Sequence, residues 1–427
     1  MSESRLSSTP LQHLNGSRPI YLWGASQAGM GMLYALRRQG VDITGFIDKR
    51  KALQGGAIYD QPVYSPEEVL YGPRRASRPF IINTTFQHKN EISAVCEAAG
   101  LLPGEDYLYY EELSPFDYQV VVCGICNLRC ISCPMGNMPA KEPAGMMSAA
   151  TYARVLDKIL QENPYLGIIQ LYNWGEPLLN PELPEIIRLT NERQVLCAVS
   201  SNLSLTRDFE EVIRARPGCF RISLSGWGET YAITHTKGNW SLVLKNMRRL
   251  SELRARHCPE MPVEVTYHLY RHNQNDAMKI GLLCAELGFV FRPHMAALLP
   301  LDNVVTYING GQLTPAAEQT LEILLLPIDQ AVKMAAGERH LACNFEHAIN
   351  IDWDLTVKHC GLYYSRADNQ AADSYLETSL AEIIARRRTS RLCRTCRGKG
   401  LHRFCRLYTS ETPELEEQTH TIREAAS

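Results

Sequence analysis

The chain has 427 residues, 45% of them hydrophobic and 21% charged, with a formal net charge of −2 at pH 7. That length allows two or three domains of ordinary globular composition. The near-neutral charge argues against nucleic acid or an anionic membrane surface as a partner. No apolar run approaches the roughly 20 residues that span a bilayer. The opening Met1-Ser-Glu-Ser-Arg-Leu-Ser-Ser-Thr-Pro10 also lacks the apolar core of a signal peptide, so the expected location is cytoplasmic. Fourteen cysteines are many for such a chain, and clustered cysteines in a reducing compartment suggest metal rather than disulfides.

Residues 1–17 are Ser-rich and aperiodic, as in a disordered leader. A strand–turn–helix pattern then begins. Pro19–Trp23 is a short apolar run, Gly24-Ala-Ser-Gln-Ala-Gly29-Met-Gly31 opens a helix to Gln39, and a second strand over Ile43–Ile47 ends at Asp48. Phe80–Asn83 reads as a buried strand and Lys89–Ala99 as a helix, giving a small Rossmann-like α/β domain over 18–115. The spacing Gly24-x-Ser-x-x-Gly29 with an acid at Asp48 fits a dinucleotide fingerprint. Helix amides at Gly29 to Gly31 can meet a phosphate, and Asp48 a ribose or sugar hydroxyl. The expected ligand is a nucleotide or nucleotide sugar at Gly24, Gly29 and Asp48; a purely structural or docking role stays open beside it.

From Asp117 strand and helix alternate. Strands are expected at Tyr118–Val122, Ile168–Tyr172, Val195–Ser200, Cys219–Ser225, Val263–Leu269 and Val290–Met295. Helices are expected between them at Ala149–Gln161, Pro181–Glu192, Thr206–Arg214, Ser241–Arg256 and Asp276–Leu287. The fold class is α/β, a partial (β/α)6 TIM-like barrel over 116–300. A helical linker follows over 301–340, with Pro327 expected to kink or break its helix at 315–336. A small Cys-rich domain over 341–410 and a polar, flexible tail over 411–427 complete the chain.

The chemistry concentrates in Cys126-Asn-Leu-Arg-Cys130-Ile-Ser-Cys133, directly after the first barrel strand. Three thiolates at C-x3-C-x2-C can hold three corners of a cubane iron–sulfur cluster and leave one iron open to a small molecule. Barrel active sites lie at the C-terminal ends of strands, so the cluster is expected at the mouth. A zinc knuckle needs four closed ligands, and Cys123, the nearest fourth thiol, falls at the strand end. The isolated Cys96, Cys197, Cys219, Cys258 and Cys284 read as small buried apolar side chains.

On this triplet the sequence resembles the radical SAM superfamily over most of 117–300. A second mark is Asn173-Trp-Gly175-Glu176-Pro177 after the second strand, similar to the Gly-Gly-Glu-Pro motif that meets the amino group of S-adenosylmethionine, with Trp174 in place of the first Gly. Softer matches are Ser200-Ser-Asn202 ending the third strand and Ser223-Leu-Ser225-Gly226 ending the fourth, with His235-Thr-Lys237-Gly-Asn-Trp240 as a familiar loop-to-helix segment. The hydroxyls of these segments can equally cap turns. Many relatives carry an aromatic residue before the third cysteine, where this chain has Ser132. The resemblance implies a [4Fe-4S] cluster with an open iron, reductive cleavage of S-adenosylmethionine to a 5′-deoxyadenosyl radical, and hydrogen abstraction from a substrate. It also implies a flavodoxin- or ferredoxin-type electron donor.

A second cysteine group comprises Cys343, Cys360, Cys393, Cys396 and Cys405, with a hairpin expected to turn near Asp352–Leu355. It resembles the SPASM/twitch extension of radical SAM enzymes. The four-cysteine twitch form implies one auxiliary [4Fe-4S] cluster on Cys343, Cys360, Cys393 and Cys396, with Cys405 spare or exchanging for one of them. A zinc ribbon on Cys393, Cys396, Cys405 and His402 is the alternative. The segment Arg386–Arg406 carries nine Lys and Arg and no acid, read as compensation for thiolate charge or contact with a phosphate-bearing substrate. The leading functional expectation is oxidation, epimerisation or rearrangement of a carbohydrate, aminocyclitol or nucleotide-sugar-like molecule; Tyr267, His268 and Lys237 lie where a substrate could be met, with packing or solvation as the favoured reading of each. The alternatives are a peptide-modifying maturase and a non-enzymatic zinc-binding scaffold.

Overall fold

A computed structural model describes Leu14 and residues 18–85, 88–139 and 142–409. The expected leader, Leu14 apart, and the tail over 411–427 lie outside the described residues. The chain divides into two compact units.

The first unit is built on a six-stranded sheet of order β3-β4-β2-β1-β5-β6. Its strands are β1 (Ile20–Trp23), β2 (Gly45–Ile47), β3 (Ala57–Ile58), β4 (Gln61–Tyr64), β5 (Phe80–Asn83) and β6 (Tyr107–Tyr109). Every residue of β1 and β5 is buried, as interior strands of a parallel sheet require. β1 pairs parallel with both β2 and β5. Two helices, α1 (Gln27–Arg38) and α2 (Lys89–Ala98), follow β1 and β5.

This unit takes in more than the expected 18–115 domain, for it also holds Leu156–Ile169 and Thr190–Leu196. Two contacts of α1 explain the addition. The Arg38 guanidinium donates to the carbonyls of Pro164 and Leu166 at 2.8 Å each and of Gln194 at 2.7 Å. At Gly31 an added Cβ would stand 3.0 Å from the Gly167 carbonyl carbon, so only a bare backbone permits this approach.

The second sheet has nine strands in the order β12-β11-β10-β9-β8-β7-β13-β14-β15. Its first six are β7 (Asp117–Val120), β8 (Ile168–Gln170), β9 (Leu196–Ser201), β10 (Cys219–Leu224), β11 (Val263–Leu269) and β12 (Val290–Met295). Between them lie α3 (Ala149–Glu162), α4 (Leu183–Glu192), α5 (Glu210–Arg214), α6 (Trp240–His257) and α7 (Asp276–Leu287). Spatial order follows chain order, and β9, β10, β11 and β12 pair parallel. This is the partial (β/α)6 barrel. Along β11 burial alternates strictly, with Val263, Val265, Tyr267 and Leu269 buried and Glu264, Thr266 and His268 between them on the other face.

Three helices follow, α8 (Leu301–Ile308), α9 (Pro315–Ile323) and α10 (Ile328–Gly337). Pro327 stands at the N-cap of α10 and breaks the 315–336 stretch as its missing N–H dictates. The hairpin strands β13 (Ala348–Ile351) and β14 (Val357–Lys358) are antiparallel, and β15 (Gln370–Ala372) completes the sheet. Here the structure departs from the expected separate Cys-rich domain. β13 pairs beside β7, so the C-terminal region continues the barrel sheet and belongs to the same compact unit. An open edge at β7 would leave backbone N–H groups unpaired, and the hairpin supplies their partners. The helices α11 (Leu380–Thr389), α12 (Arg391–Gly398) and α13 (Leu401–Thr409) end the described chain. Phe404 and Tyr408 of α13 join Leu298, Leu301, Val304 and Ala331 in one buried cluster. Among the described residues no helix is long and apolar enough to cross a membrane.

Candidate functional site

The loop after β7 carries Cys126, Cys130 and Cys133, and neighbouring segments pin it by backbone hydrogen bonds. The Gly124 N–H donates to Gly145 O at 2.8 Å. The Arg129 and Ile131 N–H groups donate to Thr236 O and Thr234 O at 3.0 and 3.1 Å. The segment after β10 thereby docks on the cysteine loop, which gives His235-Thr-Lys237 its place. Cys133 caps the short helix Pro134–Asn137. A Cβ on Gly136 would fall 2.2 Å from Cys130 O, so the short helix after the third cysteine lies against the second only as glycine.

The three thiols line one cavity of about 220 Å³. Burial pushes the Cys126 thiol up to about 12 and the Cys130 thiol well above its ordinary value, and each feels the neighbouring sulfurs. Thiols held this close and this dry are costly to ionise without a cation to share them. Cys123 is buried, directs its sulfur at Ile125 O and lies outside the cavity lining, as its strand-end position implied.

The segment after β8 forms the facing wall. Gly175 has φ +133°, and a Cβ there would lie 2.0 Å from Cys123 O, so this strand end reaches the cysteine loop only as glycine. The Glu176 N–H donates to Ile125 O at 2.8 Å. The Glu176 carboxylate accepts from Leu178 N at 3.1 Å and Asn202 N at 2.9 Å. The Asn202 side-chain amide donates to Asn127 Oδ1 at 3.1 Å and stands 3.8 Å from the Cys126 sulfur. Cysteine loop, acid and third strand end thus close a hydrogen-bonded ring. Glu176 is 1% exposed, and burial raises its carboxyl to about 7 despite the N–H donors of Asn202 and Leu178, which pull it down. Pro177 starts a single turn and is buried outside the lining.

Ser200, Asn202, Ser223 and Ser225 line the same cavity. Ser225 is engaged, since its hydroxyl shares hydrogen bonds with Thr234 Oγ1 at 2.6 Å and His235 Nδ1 at 3.2 Å. His235 stacks on Tyr231 with centroids 4.3 Å apart, and burial depresses its basicity to about 3. His268 lines the cavity while His294 packs edge-on to it at 4.6 Å; burial lowers both, His294 to about 3. These imidazoles are neutral hydrogen-bonding groups at neutral pH.

Tyr267 and Lys237 do not reach the cavity. The Tyr267 hydroxyl is spent between Gly226 N and Asn273 O, and Lys237 is an exposed residue with φ +72°. Sequence reading missed Tyr172 and Tyr270 and gave Trp174 and His235 only as parts of motifs; all four are in the lining. Tyr270 hydrogen-bonds Ser132, so an aromatic ring does stand at the third cysteine, brought there from the end of β11. Only spacing beyond a strand end could have pointed to it.

The C-terminal cysteines converge from four segments. Cys343 follows α10, Cys360 follows β14, and Cys393 and Cys396 share one face of α12 at i, i+3. Each of Cys343, Cys360 and Cys396 lies within electrostatic reach of others of the four. Burial pushes Cys360 well up and Cys396 up to about 12. Asn369 fixes the Cys360 turn, its Oδ1 accepting from Cys360 N at 3.0 Å and its Nδ2 donating to Cys360 O at 2.9 Å. Cys405, buried on α13, lies within electrostatic reach of Cys396. His402 Nε2 meets Leu341 O at 2.9 Å and so holds the loop that carries Cys343, while its Nδ1 is buried without a partner.

In the first unit the fingerprint residues are used internally. A Cβ on Gly29 would lie 2.0 Å from Gly24 O, and Gly24 has φ +113°. Asp48 Oδ1 accepts from Arg50 N and Nε at 2.9 Å each; Oδ2 accepts from Ala25 N at 3.0 Å and Arg50 Nη2 at 2.8 Å. A carboxylate has about four acceptor sites, and these four bonds fill them. The expected ribose contact at Asp48 is therefore unavailable, because Arg50, two residues on, has taken its place.

The parallel barrel, the cysteine loop at its first strand end and the acid at its second define a radical SAM domain. The family model described as the radical SAM superfamily matches residues 120–278 of the chain. A PqqA peptide cyclase of Granulibacter bethesdensis is 24% identical over 222 residues, 50% of this chain and 54% of the relative, so the chain spans about half the length of the curated relative it matches. Among solved structures, Streptococcus suis SuiB bound to precursor peptide SuiA is similar at 10% identity, covering 87% of this chain and 83% of that one, with a TM-score of 0.47. Native anSMEcpe with bound AdoMet is similar at 13% identity, covering 73% and 98%, with a TM-score of 0.42.

The residues present suit the groups that the superfamily carries. Three thiols on one cavity wall match the donor set of a cubane with one iron free of protein ligands. No three or more His, Cys, Asp or Glu among the described residues are set to share a single ion. A cubane needs wider spacing, since each of its irons takes its own thiolate.

Proposed function

We propose that the protein is a radical SAM enzyme in which Cys126, Cys130 and Cys133 hold a [4Fe-4S] cluster. Gly175, Glu176, Ser200, Asn202, Ser223 and Ser225 surround S-adenosylmethionine. The observation that carries this reading is the single cavity with three thiols on one wall and the buried Glu176–Asn202 pair on the other. When bound, the two groups supply reductive cleavage to a 5′-deoxyadenosyl radical that takes a hydrogen atom from substrate. The chain's own contribution is orientation and exclusion of water. Glu176 exchanges a proton near neutral pH, and an ammonium group beside it favours the ionised carboxylate. Tyr270, Trp174 and Leu299 close the apolar side of the cavity. Cys343, Cys360, Cys393 and Cys396 hold an auxiliary [4Fe-4S] cluster, and a flavodoxin- or ferredoxin-type donor supplies the electron.

For substrate we favour a hydroxyl-rich small molecule of carbohydrate, aminocyclitol or nucleotide-sugar type. Support comes from the serine and threonine hydroxyls and the neutral His235 and His268 in the lining. A second reading, modification of a peptide, is favoured by the likeness to the PqqA peptide cyclase. With Asp48 committed to Arg50, the first unit serves better as a docking surface than as a nucleotide cradle.

Anaerobic reconstitution with iron and sulfide tests the class. About eight irons per chain and release of 5′-deoxyadenosine after reduction are expected, and zinc alone without cleavage would overturn it. Deuterium passing into 5′-deoxyadenosine from labelled sugars, and not from labelled peptides, separates the two substrate readings.

A further inference from the structure

The basic segment that follows the auxiliary cysteines is not uniform. Arg386 pairs with Glu382, Arg397 with Glu346 and Arg403 with Glu338. Arg387 forms no ion pair with a carboxylate among the described residues. The adjacent Arg386 and Arg388 are exposed, yet Arg387 is only 8% exposed. One of its donors is used, Nη1 to Glu346 O at 2.9 Å. Nε and Nη2 are buried without a partner. A buried donor without a partner calls for an explanation, ordered water or a bound group among them, and Arg38, Arg254, Arg366 and Arg403 each leave one as well.

The groups that can answer are sulfurs, which are anionic once they ligate a cluster. Cys360, Cys393 and Cys343 lie within electrostatic reach of the guanidinium, ahead of Glu346. The other groups around the cysteines offer less. Glu346 is turned to Arg397, His359 is buried with its basicity lowered to about 4, and the Tyr363 hydroxyl hydrogen-bonds Cys396. Arg387 is thus a buried fixed cation with two donors to spare and no carboxylate partner among the described residues, whereas Arg403, which bonds Ala342 O and Asn344 Oδ1 beside Cys343 and leaves one nitrogen unpaired, is neutralised by Glu338.

We infer that Arg387 is a positioning residue for the auxiliary cluster, its free N–H groups directed at the thiolates of Cys343, Cys360 and Cys393 and its charge raising the cluster's reduction potential. The inference rests on the auxiliary-cluster reading above. Four thiolates on a [4Fe-4S]2+ core carry two net negative charges, and one electron from a reductant makes three. A fixed, poorly solvated cation stabilises the more negative state more strongly, so it favours reduction.

The test uses the full chain with Cys126, Cys130 and Cys133 replaced by Ala, where any remaining cluster is auxiliary, titrated with dithionite and read by electron paramagnetic resonance. In that background Arg387→Gln is expected to lower the reduction equilibrium constant about tenfold or more, a shift of about 59 mV per tenfold for one electron. Arg387→Lys is expected to restore most of it. Loss of iron from the Gln variant alone also supports the inference. Full iron with an unchanged potential in Arg387→Gln overturns it, as does equal loss of iron from both variants, which marks the side chain as packing. A triple-alanine chain that binds no iron sinks the auxiliary-cluster reading itself, an outcome visible before Arg387 is touched.

Discussion

Gly175 and Cys123 meet backbone to backbone: the Cys123 carbonyl oxygen occupies the space within 2.0 Å of where a Gly175 Cβ would stand. Gly175→Ala must therefore push the acid-bearing segment off the cysteine loop. It also places a side chain at φ +133°, a region that costs non-glycine residues about 1–3 kcal/mol. The expected outcome is a loss of that size in denaturant unfolding and a fall of about a hundredfold in S-adenosylmethionine cleavage, as displacement of about 1 Å produces in a preset site. Wild-type cleavage in this variant would refute the placement.

Glu176 sets a pH dependence. Its folded carboxyl is raised to about 7, above its ordinary value of 4.5, because burial penalises the charge. The folded state therefore binds more protons than the unfolded state between those values. The associated stability is fully present below pH about 4.5 and is lost as pH rises through about 7, by up to about 3 kcal/mol. Metal-free protein should lose stability over this window, and Glu176→Gln should flatten the curve. Identical pH profiles for the two proteins would refute the assignment. Loaded Glu176→Gln protein should bind S-adenosylmethionine more weakly in equilibrium dialysis.

The two outlying C-terminal thiol assignments separate by iron analysis. Cys343→Ala is expected to remove about four irons per chain. Cys405→Ala is expected to remove none and to cost only about 1 kcal/mol for a small buried void, since Cys343, Cys360 and Cys396 feel one another and Cys393. Loss of iron in Cys405→Ala would place that residue among the ligands.

Arg366 holds three carboxylates near the hairpin. It reaches Asp352 at 3.0 Å, Asp354 at 2.6 Å and Glu142 at 3.9 Å, while Lys358 shares Asp352 at 3.0 Å. Asp352 is 6% exposed. Arg366→Met leaves these acids under-compensated and should destabilise the chain by about 3–5 kcal/mol, the usual cost of breaking a buried pair. Thermal unfolding checks this. A double variant that also carries Asp352→Asn should recover part of the loss.

What sequence could and could not disclose follows from the range of each interaction. Cys126, Cys130 and Cys133 share one loop, and Glu176 sits in a contiguous motif, so short windows display them. Tyr270 reaches Ser132 from the end of another strand, and no window holds both. Asp48 misled for the opposite reason. The fingerprint spacing was present, but Arg50, two residues on, decides what the carboxylate binds. His402 sat among cysteines like a ligand, and only the fold turns it to Leu341 O. β13 joins β7 across more than two hundred residues, which periodicity cannot register.

The ring from Ile125 O through Glu176 to Asn202 and Asn127 is closed by the chain's own groups. Segments tied to one another in this way leave less ordering to be met by whatever binds between them. The same economy couples the two occupants. A change that loosens the ring at Asn202 weakens the seat of the cluster and of the small molecule together, and affinity for one becomes a gauge of the other.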